Sequence, residues 1–349
     1  MIVITLADLR YRYRQFLIAV LGGGVVLAMA ILLSGLANGF RTEINATVGA
    51  VGADRWVMSE KSNGRVASVA TFDQAAVQQI AGEPGVRAAD PVVMLPQEVL
   101  RVGGRQVTVN VLAVRPGGLG SPRPGSGSAL TGGGQLVLDR RAHVPLGSAV
   151  TLGTTALHVV GTVSGRTLTA GIPLAYMTLA DAQAALLGGQ PVVTAVVTTG
   201  VPTAVPAGLA MFTPGQVEAH SLTTLASGVS SINKSRTMMW VVAAIIIAAL
   251  VYVSALQRVR DFAVLKALGS SSAALFGSLC LQAVLVTLLA AAFGTVLSFF
   301  LTGVFNQPLS VPTSAYATLP LVALVVGVAA SLVALRRATS ADPVAAFGG

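Results

Sequence analysis

Four stretches of this 349-residue chain are long, apolar and free of charge, and they restrict its fold more than any other feature. They are Phe16 to Ala37, Met238 to Leu256, a run within Ala273 to Phe305, and Thr318 to Leu335. A bilayer core is crossed by about 20 mostly apolar helical residues, because no water is present there to satisfy an open backbone. Each stretch can supply that length. Only 10% of the residues are charged, against about 25% in ordinary soluble domains, which argues against a wholly soluble fold. The apolar excess lies at the two ends, while residues 38–237 have the composition of a water-soluble domain. The expected fold is therefore membrane α-helical, with four transmembrane helices and an inserted α+β extracytoplasmic domain.

Orientation follows from the preference of Lys and Arg for the cytoplasmic side in short flanking segments. Arg10, Arg12 and Arg14 precede the first stretch, Arg258, Arg260 and Lys266 separate the second from the third, and Arg336 and Arg337 follow the fourth. The loop from Asn306 to Ala317 carries no charge. The chain is thus expected in the cell membrane as a multi-pass protein with both termini cytoplasmic. In order, the expected parts are an interfacial N-terminal helix (1–15), a first span (16–37), the outer domain with stalk helices (38–237), a second span (238–256), a cytoplasmic segment (257–272), a third span (273–305), an outer loop (306–317), a fourth span (318–335) and a tail (336–349). Lys234 and Arg236, just outside the second span, are a local exception to the charge rule. A signal peptide would also begin with basic residues and an apolar run. Here that run exceeds the usual range of about 7–15 residues and no A-x-A site follows, so the helix is read as retained.

In the outer domain, Arg55 to Met58, Val86 to Leu95, Gln106 to Val114, Gln135 to Leu138, Ala156 to Val163 and Val192 to Thr198 are β-rich stretches bounded by Gly, Pro or Ser, and read as strands. Thr71-Phe-Asp-Gln74 reads as a capping box opening a helix to Ile80, and Thr178-Leu-Ala-Asp181 opens a second that stops at Gly188-Gly189. Pro116 to Gly134 is so rich in Gly, Pro and Ser that it reads as a mobile surface loop between two lobes. Thr213-Pro-Gly-Gln216 combines a cap, a proline at the first helical position and a glutamine at the third. A long helix is expected from there, running as a continuous stalk into the second span, with a similar stalk leaving the first span through Phe40 to Val48.

The segment 257–272, QRVRDFAVLKALGSSS, is the most informative. As a helix it places Arg258, Asp261, Phe262, Leu265 and Leu268 on one face and ends naturally at Gly269. A turn that only linked two spans would have no reason to present Phe262, Val264 and Leu265 to water. In the spans, small residues recur four apart. Gly35 and Gly39 close the first, Gly294 lies on a small-residue face of the third, Gly327 on one of the fourth, and Gly22-Gly-Gly24 lies within the first. Such faces allow close helix packing, although Gly and Ala are abundant throughout the chain.

The run Arg258-Val-Arg260-Asp261-Phe262-Ala-Val-Leu265-Lys266-Ala-Leu-Gly269-Ser270 resembles a segment shared by the FtsX/MacB-type permeases of ABC transporters, which include the FtsX-like and DevC-like proteins. Gln257 stands where that family commonly has an acidic residue, and Asp261 replaces a Glu. The ending Arg336-Arg337-Ala-Thr-Ser-Ala-Asp342-Pro343-Val-Ala-Ala346 is similar to the family's C-terminal signature, with Phe347 in place of a Leu. The resemblance implies a permease subunit in which Arg258, Arg260, Asp261, Phe262, Leu265, Lys266 and Gly269 form a coupling helix docking into a separate ABC ATPase. It also implies a pair of permease chains, identical or not, a MacB-like outer domain and ATP-driven lever motions. The substrate would be amphipathic and exported or extracted. The alternative is a mechanotransmitter that moves nothing and activates an outer partner such as a cell-wall hydrolase or adaptor.

The residues themselves exclude several functions. A P-loop needs a lysine after glycine to hold phosphate, and Lys61, Lys234 and Lys266 all follow other residues. ATP and Mg are thus expected on the partner, with no cofactor, catalytic residue or metal site in this chain. His143, His158 and His220 are isolated, and the single cysteine, Cys280, lies in an apolar run. The net charge of +9 comes without a dense basic run or interleaved aromatics, so nucleic acid is not an expected partner, whereas membrane lipid is.

Overall fold

A computed structural model describes residues 13–257, 272–302 and 309–316, with Thr318, Val325, Val328 and Ala329. The chain divides into two compact units, Gly39–Gly228 and the remainder, Met1–Asn38 with Val229–Gly349. The elements are, in order, α1 (Tyr13–Val51), β1 (Arg55–Ser59), β2 (Phe72–Asp73), α2 (Ala76–Ala81), β3 (Val86–Val102), β4 (Arg105–Val114), β5 (Ser126–Gly127), β6 (Gln135–Asp139), β7 (Ala149–Leu152), β8 (Thr155–Val163), β9 (Thr167–Leu168), β10 (Ile172–Thr178), α3 (Leu179–Leu186), β11 (Val192–Val193), β12 (Ala195–Gly200), β13 (Leu209–Phe212), α4 (Pro214–Thr224), α5 (Ala226–Leu256) and α6 (Ser272–Thr302).

In the unit 39–228 nine strands of an eleven-stranded mixed sheet run β13-β1-β12-β3-β4-β10-β6-β8-β5, with β7 and β9 off this path, β9 against β10. β7 joins β8 back to the far half of β3, so β3, β4, β10, β6, β8 and β7 form a closed circuit of hydrogen-bonded pairs. The 17-residue β3 makes this possible. Its first half pairs with β12 and its second with β7, and between Leu95 and Glu98 its register shifts against β4, with Gln97 at φ +57°. An extra residue of this kind bends a strand and increases its twist. Alternation then sorts the side chains to two faces. Val109, Val111, Ala113, Leu136, Leu138, Val150, Leu157 and Met177 join one buried cluster. Leu112, Val114, Val137 and Tyr176 join a second that also takes in Trp56 and, from α1, Ile44 and Val48.

Several sequence expectations are corrected here. Thr71 caps nothing, because Phe72 and Asp73 are drawn into a strand pair with Val193 and Val192, and the helix starts after Ala75. The expected strand 192–198 is two strands in different sheets, divided at Thr194, whose hydroxyl accepts from Met94 N and donates to Val92 O. β7, β10 and β13 were not anticipated. The segment 116–134 is fastened rather than loose. The Asp90 carboxylate accepts from Leu119 N, Val51 O accepts from Gly120 N, β5 pairs with β8, and Leu130 is buried. It divides no lobes, since the strands before and after it share one sheet. The Thr178 and Thr213 caps are present, the latter with the full reciprocal capping box. The expected continuous stalk is nonetheless broken at Leu225, where α4 ends and α5 begins.

Among the described residues two helices are long and apolar enough to cross a membrane, Phe16–Val51, whose first part belongs to the other unit, and Cys280–Thr302, which lies wholly in it. Their surfaces carry Ile18, Leu289, Phe299 and Phe300 at 69%, 53%, 61% and 73% exposure, an apolar area that water would not tolerate and lipid would cover. Hydroxyls return their protons to the helix backbone, as in Thr287 to Ala283 O and Thr295 to Ala291 O. Most of the first fifteen residues, the expected fourth span and the tail lie outside the described residues.

Candidate functional site

The seven residues of the expected docking helix, Arg258, Arg260, Asp261, Phe262, Leu265, Lys266 and Gly269, lie outside the described residues, as does Gly327. The other glycines singled out have different surroundings. A Cβ on Gly294 would stand 2.7 Å from Gly24 O and 3.2 Å from Ala28 N, and one on Gly24 would stand 2.9 Å from Ala290 O. α1 and α6 therefore touch backbone to backbone there. Gly35 meets no helix; a Cβ on it would lie 2.7 Å from the Val311 side chain, where the segment 309–312 lies on α1. Ser310 N donates to Gly35 O, and the Asn38 amide donates to Ser310 O at 3.0 Å. Gly39 is buried within α1.

The unit 39–228 contains a feature the sequence did not disclose, a cavity of about 420 Å³. That volume falls within the range of small-molecule sites, about 300–1,000 Å³. Its apolar wall includes Ile44, Val66, Leu168 and Leu225, and Arg65 is the one charged side chain lining it. Three buried polar groups hold the wall in place. Asn110, fully buried, accepts from Gln97 N at 3.0 Å and donates to Leu168 O at 2.7 Å, tying the β3 bulge to β9. Ser221 on α4 accepts from Val66 N at 2.9 Å. Glu43 on α1 accepts from the Thr167 hydroxyl and from Gly171 N, and its Oε2 has no hydrogen-bond donor within bonding geometry among the described residues. Thr169, Ala170 and Gly171 follow one another with φ of +58°, +65° and +86°. Two adjacent non-glycine residues in the left-handed region are costly, and such strain persists where surrounding bonds impose it.

Asn110→Ala tests this framework. It removes the side-chain partner of the Gln97 N–H and of the Leu168 carbonyl, at about 1–3 kcal/mol for a group left unsatisfied. The expected result is a clear fall in the denaturant midpoint of the Trp56 signal in a Trp240→Phe background, Trp56 being 1% exposed and the only other tryptophan.

Long apolar helices with a folded insertion between them are the build of an integral membrane protein. Residues 236–343 match the FtsX-like permease C-terminal family. An ABC transporter permease of Mycobacterium bovis is 35% identical over 349 residues, covering all of both chains. Another from Mycobacterium tuberculosis is 34% identical over the same length, again with full coverage of both. The chain belongs to the ABC transporter permeases of the FtsX-like family, non-catalytic transmembrane subunits that work with an ATPase subunit. Two solved structures are also similar. The periplasmic region of MacB from Actinobacillus actinomycetemcomitans has a TM-score of 0.37 at 14% identity, covering 50% of this chain and 96% of that one. The extracellular domain of the noncanonic ABC-type transporter YknZ from Gram-positive bacteria has a TM-score of 0.33 at 15% identity, covering 43% and 84%.

Proposed function

We propose that this chain exports or extracts an amphipathic substrate, powered by a separate ATPase subunit that docks on the cytoplasmic segment 257–269. In this reading the chain has four spans, both termini are cytoplasmic, residues 38–237 lie outside, and two permease chains work as a pair. The observation that supports an amphipathic substrate is the cavity within residues 39–228, which combines an apolar wall with one cation and no carboxylate. An apolar chain loses water contact against Val66, Leu168 and Leu225, and an anionic head finds Arg65.

Ala67→Trp, at a half-buried position on the cavity wall, fills the space and leaves the sequence of segment 257–269 unchanged. In the complex of permease and ATPase reconstituted in vesicles, stimulation of ATP hydrolysis by anionic single-chain amphiphiles should fall about tenfold while basal hydrolysis persists. Unchanged stimulation across an anionic and a cationic series would remove the transport reading. An active complex insensitive to every amphiphile would favour a mechanotransmitter.

A further inference from the structure

Arg236 stands two residues before the apolar run that opens at Met238, and it is one of the two cations that broke the charge pattern of the flanking segments. No Asp or Glu occurs among the described residues of its unit. Its half-buried guanidinium has five N–H donors. Among the described residues its side chain makes one hydrogen bond, Nη1 to Ser34 Oγ at 3.5 Å, and no ion pair. A partly buried charge without a counterion is costly, and such charges normally have a partner.

The side chain lines a cavity of about 310 Å³ formed by Ser34 of α1, Thr237 and Trp240 of α5, and Ser314 and Thr318 beyond α6. The 309–312 segment that leads into this wall is fixed to α1 by the bonds at Gly35 and Asn38. Three of the hydroxyls have already given their protons to the backbone, Ser34 to Ala30 O, Thr237 to Asn233 O and Thr318 to Ala315 O. The Ser314 hydroxyl and the Trp240 indole N–H have no acceptor among the described residues. The cavity therefore combines a cation and two neutral donors with no anion to receive them.

We propose that this cavity binds the phosphate of an anionic lipid headgroup. A lipid suits the position better than a free phosphate does. Trp240 packs against the buried cluster of Leu27, Ile31, Ala243, Ala290 and Ala291, and on the same helix Met238, Val241 and Ile245 are 70%, 53% and 61% exposed, an apolar track for an acyl chain beside the donors. Tryptophan and arginine at the end of an apolar run sit at the depth of headgroups. The site belongs wholly to the membrane unit, so it holds whichever face of the membrane the insertion occupies, and it shares no lining residue with the cavity within residues 39–228.

Native mass spectrometry of the full chain in detergent, titrated with phosphatidylglycerol and phosphatidylcholine, tests the site. Wild type should take up one phosphatidylglycerol about tenfold more tightly than phosphatidylcholine. Arg236→Gln should erase that preference, and Lys234→Gln, at an exposed neighbour, should keep it. Equal preference in wild type and Arg236→Gln overturns the proposal. So does an equal loss in Lys234→Gln, which would mean attraction to a charged surface. Inorganic phosphate at millimolar concentration should not displace the lipid, and complete displacement would assign the site to the free anion instead. If Arg236→Gln gives no monodisperse protein, Ser314→Ala and Trp240→Phe carry the test. Each should weaken phosphatidylglycerol binding about two- to fivefold, and unchanged binding in both overturns the proposal.

Discussion

Phe262→Asp and Leu265→Asp should each abolish copurification of this permease with its ATPase subunit. The two residues are three apart, so on a helix they share a face with Arg258 and Asp261, and the run ends at Gly269. Apolar anchors at the centre of a protein interface each contribute about 2 kcal/mol or more, and a carboxylate in a desolvated groove adds its own penalty. Together these amount to a loss of at least about a hundredfold in affinity, enough to empty a pull-down. Lys266→Ala, a change in charge without a change in the apolar face, should weaken association only a few fold and increase its dependence on salt. Association retained by both aspartate variants would remove segment 257–269 as the docking helix, while leaving membership of the permease family untouched.

Gly294→Leu should cost the membrane unit its folded state, seen as loss of monodisperse protein after extraction in mild detergent. The first atom of any side chain at this position falls 2.7 Å from Gly24 O and 3.2 Å from both Ala28 N and the Leu27 Cβ. A backbone carbonyl cannot turn aside as a flexible side chain can, so α1 and α6 must separate and lose their contact. Overpacking of this kind costs about 1–3 kcal/mol when neighbours can adjust, and more when they are backbone. Gly22→Leu is the matching control, since a Cβ there meets nothing within 4 Å. The same substitution two residues from Gly24 should be tolerated. Equal losses at positions 22 and 294 would show that leucine in a glycine-rich stretch is harmful in itself, not that the crossing is.

Comparison of the two glycines shows how far the sequence reaches. Gly22 and Gly24 sit in one triplet and are indistinguishable by composition, yet one faces open space and the other the backbone of α6. Gly35 was grouped with the helix-packing glycines, but a non-helical segment occupies its face. Spacing reports which residues share a side of a helix, and nothing in it says what will lie opposite. The caps behaved in the contrary way. Thr178 and Thr213 each bond to an amide three residues on, a contact decided within one turn. Thr71 carries a similar signal and caps nothing, because pairing of Phe72 and Asp73 with the distant Val193 and Val192 competed with the helix and prevailed. Leu225 shows the same limit, as no Gly or Pro marks the break between α4 and α5.

The amino-acid sequence by itself determined two long apolar helices, the segment inserted between them, most of its longer strands and the family to which the chain belongs. These depend on local periodicity, on hydrophobic length and on motifs a dozen residues long. The tertiary structure alone decided the closed strand circuit, the framework of Asn110, Ser221 and Glu43 around one cavity, and the placing of Arg236 with Ser314 and Trp240 around another. Those arrangements join residues separated by tens to hundreds of positions, through single hydrogen bonds and backbone approaches. Such contacts depend on where the chain returns in space, which no local pattern encodes.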